Sequence, residues 1–204
     1  MSKLETNTID TVSGTSTLQV GSTNTSTITL GVSGDTINVP SGVTINNNGT
    51  QTGFGGTNTP AFFVTYSSGQ TLNSGASTKL NFDSEVYDTN SAYDNSTNYR
   101  FTVPSGQAGK YYIGLNIQFY DQQSRMNRMI SEIHLNGTKV RENDDYGIQD
   151  KVFGNSTCDT FFNLSVGDYL EAYAYGETGD GGTFSVNGGT SNLRSFFGGY
   201  KLVE

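Results

Sequence analysis

The sequence predicts an all-β protein in two parts, and three features carry that prediction. Apolar side chains recur at every second position in short runs, the period of a half-buried strand. Gly, Asn, Ser and Asp separate those runs, as turns require. Composition changes sharply near Thr59-Pro60: before it the charged residues are Lys3, Glu5, Asp10 and Asp35 and the aromatic is Phe54, whereas after it aromatics and charges are dense. The glycine cluster Gly53-Phe54-Gly55-Gly56 marks the joint. The expected organisation is a leader over 1–15, a β-repeat shaft over 16–56 and a globular head over 57–204.

The N-terminal elements are short. Leu18/Val20, Ile28/Leu30, Ile37/Val39 and Val43/Ile45 are apolar pairs two residues apart, each followed by Gly, Pro-Ser-Gly or Asn-Gly breaks. One such strand buries two or three side chains, worth about 1.5–3 kcal/mol each. Ordering its residues costs about 1–2 kcal/mol apiece in backbone entropy. A lone copy therefore cannot fold, and the segment is expected to share a core with partner chains as an intertwined shaft.

The head is expected to be antiparallel. Its candidate strands are 61–66, 78–82, 99–103, 110–119, 129–135, 138–141, 158–164, 169–175, 183–186 and 195–203. In the run from Tyr111 to Ile117 the odd positions Tyr111, Ile113, Leu115 and Ile117 form one buried face. In the run from Tyr169 to Tyr175, Leu170, Ala172 and Ala174 oppose the face of Tyr169, Glu171, Tyr173 and Tyr175. Asn136-Gly137 between two apolar runs is a hairpin signal. Many short strands with frequent turns mean a sandwich or barrel.

Composition narrows the function classes. Of 204 residues only 33% are hydrophobic and 15% charged, with 12 Tyr, 12 Phe and no Trp. A formal net charge of −8 disfavours nucleic acid and anionic lipid as partners. No apolar stretch approaches the length of a membrane helix, so no membrane insertion is expected. Residues 1–10 lack an apolar core of signal-peptide type. The one cysteine, Cys158, excludes an intrachain disulfide and is expected to be a small buried hydrophobe. His134 is the one histidine, so a multi-histidine metal site is excluded and a structural role in a strand is expected. No cofactor is expected. Glu142-Asn143-Asp144-Asp145 is read as a loop whose Glu142, Asp144 and Asp145 could hold calcium through oxygens. Asp83 and Glu85 are read as solvated, and no enzymatic activity is expected.

The head also resembles a known family. Ala61-Phe62-Phe63-Val64, Lys79-Leu80-Asn81-Phe82-Asp83, Phe101-Thr102-Val103-Pro104 with Gly109-Lys110-Tyr111-Tyr112, Leu135-Asn136-Gly137-Thr138, Leu164-Ser165-Val166-Gly167-Asp168 and the closing Ser195–Leu202 run look, in order, like a C1q-like globular head. The resemblance spans roughly 60–204. It implies a ten-strand jelly roll of the C1q/tumour-necrosis-factor type forming a homotrimer that binds and does not catalyse. The N-terminal pattern and the leader Leu4-Glu5-Thr6-Asn7-Thr8-Ile9-Asp10 resemble bacteriophage fibre repeats. The resemblances imply a virion protein made in the host cytoplasm. The expected role is a tail fibre or spike that joins other virion proteins through its N-terminal segment and a host glycan or protein through its head. A capsid decoration or head fibre, or a secreted C1q-like lectin, is the alternative.

Two site expectations follow. Tyr112, Tyr173 and Phe197 would otherwise leave exposed apolar patches and are expected in the trimer core. Counting strand reversals back from a C-terminus lying beside Ala61 places 187–194, 166–168 and 121–128 at the free tip. Arg125, Asn127, Arg128, Asp168, Asn187 and Asn192 are thus the expected ligand-binding residues, with the arginines contacting anionic glycans through forked hydrogen bonds.

Overall fold

The computed structural model describes residues 20, 23, 26–46, 58–123, 125–147, 151–189 and 193–202. The chain divides into two compact units, Met1–Thr52 and Gly53–Glu204. The expected leader and Leu18 lie outside the described residues.

In the first unit the described residues form turns and no strands. The Asp35 amide donates to the Val32 carbonyl at 3.0 Å, and the Val43 amide to the Pro40 carbonyl at 3.2 Å. The Asp35 carboxylate closes the first turn by accepting from the Val32 amide at 2.8 Å. These turns fall where the sequence places breaks. Among the described residues the apolar pairs form no strand ladder, and Val20, Ile28, Leu30, Val32, Ile37, Val39, Val43 and Ile45 are 41–77% exposed.

The second unit is an all-β sandwich. Its strands among the described residues are β1 (Ala61–Thr65), β2 (Gly69–Asn73), β3 (Thr78–Lys79), β4 (Ser84–Asp88), β5 (Tyr93–Asp94), β6 (Arg100–Thr102), β7 (Gly109–Tyr120), β8 (Met126–Leu135), β9 (Thr138–Tyr146), β10 (Phe153–Leu164), β11 (Tyr169–Thr178), β12 (Thr183–Asn187) and β13 (Phe196–Lys201). One sheet has the order β2-β12-β7-β13-β1-β4, with β10 on the other side of β7. The other has the order β5-β6-β11-β8-β9, with β3 also pairing β11. The strand pairings are antiparallel.

Alternation decides which side chains meet between the sheets. Tyr111, Ile113, Leu115, Ile117 and Phe119 of β7 are fully buried, as are Leu170 and Ala174 of β11. Aromatic rings fill the centre: Phe62 stacks on Phe101 at 4.6 Å and meets the edge of Phe197 at 5.2 Å. Cys158 is buried among them as expected, and burial pushes its thiol up to about 11. Asn136 and Gly137, at φ 52° and 80°, turn β8 into β9 with both central residues left-handed, the hairpin geometry that Asn-Gly favours.

One feature of the topology departs from the strand count. β12 and β13 run in the same direction along one edge of β7: β12 pairs with Phe119–Tyr120 and β13 with Tyr111–Asn116. The chain direction is therefore the same in both strands. At Gly188, just after β12, the backbone passes the break between β1 and β2, and the approach is tight. A Cβ on Gly188 would stand 2.3 Å from the Tyr66 Cβ and 2.4 Å from the Gly69 nitrogen. Only glycine fits there.

Candidate interaction surfaces

The outward faces of the two sheets differ in chemistry. On the seven-stranded sheet, β7 turns Tyr112, Gly114, Asn116, Gln118 and Tyr120 away from the core. β10 adds Phe153 and Phe161, β13 adds Phe196, Gly198 and Tyr200, β1 adds Phe63 and β4 adds Tyr87. Tyr112 lies 5.5 Å from Phe161 and 5.6 Å from Tyr200, while Phe63 lies 5.1 Å from Phe196 and 6.0 Å from Tyr87. These rings are not covered: Phe161 is 67%, Phe153 51% and Tyr87 49% exposed.

A recess of about 160 Å³ opens among Phe63, Tyr87, Tyr112, Phe196 and Tyr200, floored by Gly114 and Gly198. The floor is held open by close strand packing. A Cβ on Gly198 would sit 2.9 Å from the Phe63 ring and 3.0 Å from the Phe62 carbonyl oxygen. An aromatic wall thus surrounds a glycine floor, and the recess is lined chiefly by apolar atoms.

On the six-stranded sheet the outward face is polar. Glu132, only 3% exposed, accepts from His134 Nε2 at 2.8 Å and from Ser77 Oγ at 2.7 Å. Burial alone would raise its carboxyl, but those hydrogen bonds and the Lys139 charge hold it below its ordinary value. His134 stacks on Tyr173 at 3.8 Å. Its ring is thus engaged on one nitrogen and on one face within the strand where the sequence places it. Lys79 Nζ lies 2.5 Å from the mostly buried Glu171.

The expected site residues separate into distinct places. Tyr112 stands on the exposed aromatic face. Phe197 points into its own sandwich and is fully buried, so it cannot reach another copy. Tyr173 lies on the opposite sheet under His134. Arg125, Asn127 and Arg128 lie at the end of the sandwich away from Ala61. Asp168 lies at the Ala61 end, where its carbonyl accepts from the Val103 amide and its carboxylate from Asn136 Nδ2 at 2.8 Å. Asn187 stands short of the far end and donates to Gln118 Oε1 at 3.0 Å. Asn192 lies outside the described residues. The parallel run of β12 and β13 breaks the alternation on which the count relied, and the three antiparallel strands β8, β9 and β10 between 121–128 and 166–168 set those two loops at opposite ends.

Nor are the two arginines open forks. Arg125 Nε and one terminal nitrogen donate to Asp121 at 2.9 and 3.0 Å, and the other terminal nitrogen contacts Asp180. Arg128 donates to Asp144 at 3.0 and 2.6 Å and lies 3.5 Å from Glu177. These hydrogen bonds hold Asp121 and Asp144 below the usual carboxylate range. The segment expected as a calcium loop is the second half of β9. There Glu142 binds Lys139 and Asp144 binds Arg128, while Asp145 turns to the opposite face beside Asn143. Strand alternation keeps the three acids from converging, and the described residues contain no cluster of three or more His, Cys, Asp or Glu side chains fit for a metal. No described helix is long and apolar enough to cross a membrane.

No family model and no curated protein matches the chain. Solved structures do. Murine APRIL at pH 5.0 is 12% identical with a TM-score of 0.51, covering 70% of this chain and 98% of that one. The globular domain of zebrafish complement 1qA protein is 16% identical with a TM-score of 0.47, over 70% and 97%. Eiger TNF from S. frugiperda is 14% identical with a TM-score of 0.49, over 70% and 91%. Together with the strand order, the APRIL likeness makes the second unit a jelly-roll sandwich of the C1q/tumour-necrosis-factor type.

Proposed function

We propose that the protein is a non-enzymatic, homotrimeric virion fibre, of the bacteriophage tail-fibre or spike kind, whose jelly-roll head attaches to a host surface. The observation that carries this reading is the exposed aromatic face of the seven-stranded sheet, with its glycine-floored socket. Contiguous apolar surface of this sort marks a protein contact. A further copy of the chain is the occupant that the resemblance implies. Socket and rings on different copies make a contact that closes as a ring, and three is the closure the resemblance implies.

The first unit supports the same reading. Among its described residues the apolar pairs Ile28/Leu30, Ile37/Val39 and Val43/Ile45 are exposed, with Val20 and Val32, and parallel copies would cover them. Non-enzymatic character is supported by the engagement of His134 with Glu132 and Tyr173 and by the burial of Cys158. Three heads on one fibre would turn weak single contacts into firm attachment.

Sedimentation equilibrium of the full chain tests the assembly. A particle three times the 21.9 kDa chain mass is expected, and a stable monomer contradicts the reading. Antibody labelling of intact particles by electron microscopy tests the place: label on tail appendages is expected, and label on the capsid contradicts the tail-fibre assignment.

A further inference from the structure

The far end of the six-stranded sheet carries a fixed array of rings and carboxylates that the proposed assembly face does not use. Strand register places Tyr146, Arg128 and Glu177 in one row across β9, β8 and β11, and Asp144, Ile130 and Tyr175 in the next. The Arg128 guanidinium stands 5.7 Å from the centre of the Tyr146 ring and 5.5 Å from that of Tyr175. Asp144 and Glu177 hold it there, and the Tyr175 hydroxyl donates to Glu177. Tyr146 is nevertheless 78% exposed. Strand pairing sets its place beside Arg128, the cation lies on one side of the ring, and the rest is open to solvent.

The array's chemistry selects among ligands. An anion finds no open fork, because both arginines at this end are already closed on carboxylates, and it would meet Asp144 and Glu177 as like charges. Carboxylates keep lone pairs beyond those that Arg128 and Tyr175 occupy, and Arg128 keeps two N–H donors. Groups that both donate and accept suit such a mixture, and hydroxyls do both. The electron-rich face of Tyr146 attracts the slightly positive hydrogens of C–H bonds. A sugar ring combines a rim of hydroxyls with C–H faces.

We infer that Tyr146, Tyr175, Arg128, Asp144 and Glu177 form a binding surface for an uncharged, hydroxyl-rich glycan. The inference rests on the attachment reading above. It moves the contact from the tip loops to a sheet face and replaces an anionic glycan with a neutral one. Arg128, Asp144, Glu177 and Tyr175 already bond to one another before the ligand arrives, which lowers the ordering cost of binding.

Affinity electrophoresis of the full chain tests this, in native gels cast with dextran, mannan or galactan as neutral polysaccharides and with alginate or heparin as anionic ones. At least one neutral polysaccharide should retard the protein at both low and high salt. Tyr146→Ala should weaken that retardation by about tenfold, the scale of one aromatic contact. Glu177→Gln, which keeps the shape and removes a charge, should also weaken it. Retardation by anionic gels alone, strengthened by Glu177→Gln, overturns the inference. So does retardation by no gel, or an unchanged Tyr146→Ala. A chain that sediments as a trimer yet ignores every polysaccharide overturns the glycan assignment alone. A monomer overturns the assembly reading alone.

Discussion

The two units treat their apolar residues in opposite ways. In the second, β7 alone brings Tyr111, Ile113, Leu115, Ile117 and Phe119 to full burial against the facing sheet. In the first, every described Val, Ile and Leu from Val20 to Ile45 is at least 41% exposed. Both units follow the same two-residue period, so local pattern does not explain the difference. What differs is the availability of a second layer. The long strands of the second unit fold back on one another, whereas the short pairs of the first are separated by turns before they can pair. Patterning dictates which side chains share a face; only topology decides whether one chain can cover that face itself.

Breaking the covered core should have the largest effect. Phe197→Ala removes a fully buried ring that touches Phe62 and Tyr93 and should cost about 3–5 kcal/mol, read from urea denaturation of the full chain. Gly188→Ala comes next. Its new methyl would meet the backbone of Gly69, so the backbone just after β12 must shift, and a destabilisation of about 1–3 kcal/mol is expected by the same measurement. Phe161→Asp separates the two kinds of surface: it should disperse the assembly on sedimentation while leaving the near-ultraviolet circular dichroism of the sandwich in place, because this ring is 67% exposed.

Acid sharpens the contrast more gently. Glu132 has a folded value depressed below its ordinary 4.5, so its contribution is fully present above that pH and is lost as pH falls through the folded value. Asp121 and Asp144 act in the same direction. Denaturation midpoints should fall on the acid side of 4.5, and Glu132→Gln should flatten that slope. The smallest effect is expected for Ile37→Ala. This side chain is 61% exposed, and its loss should leave the urea midpoint of the sandwich unchanged.

Much of the sandwich was legible. The alternation in β7 and β11, the Asn136-Gly137 hairpin and the burial of Cys158 all read directly from residue order. β2 did not, because Gly69–Asn73 buries Leu72 alone and shows no alternation. The second half of β9 read as a loop because its exposed edge strand is charged. That misreading suggested a calcium loop where a strand keeps the acids apart. The arginines misled for another reason. Asp144, which closes the Arg128 fork, and Asp180, which takes the remaining Arg125 nitrogen, lie 16 and 55 residues away along the chain, although Asp121, four residues before Arg125, was near enough to be read. The collinear run of β12 and β13 is likewise invisible in either segment alone.

Amide hydrogen exchange across residues 26–46 of the full-length protein tests most directly whether neighbouring copies supply the layer that the first unit lacks. These amides should be protected in the assembled protein and should exchange freely once Phe161→Asp has dispersed it. Protection that persists in the dispersed chain, or free exchange within an intact trimer, would contradict the account.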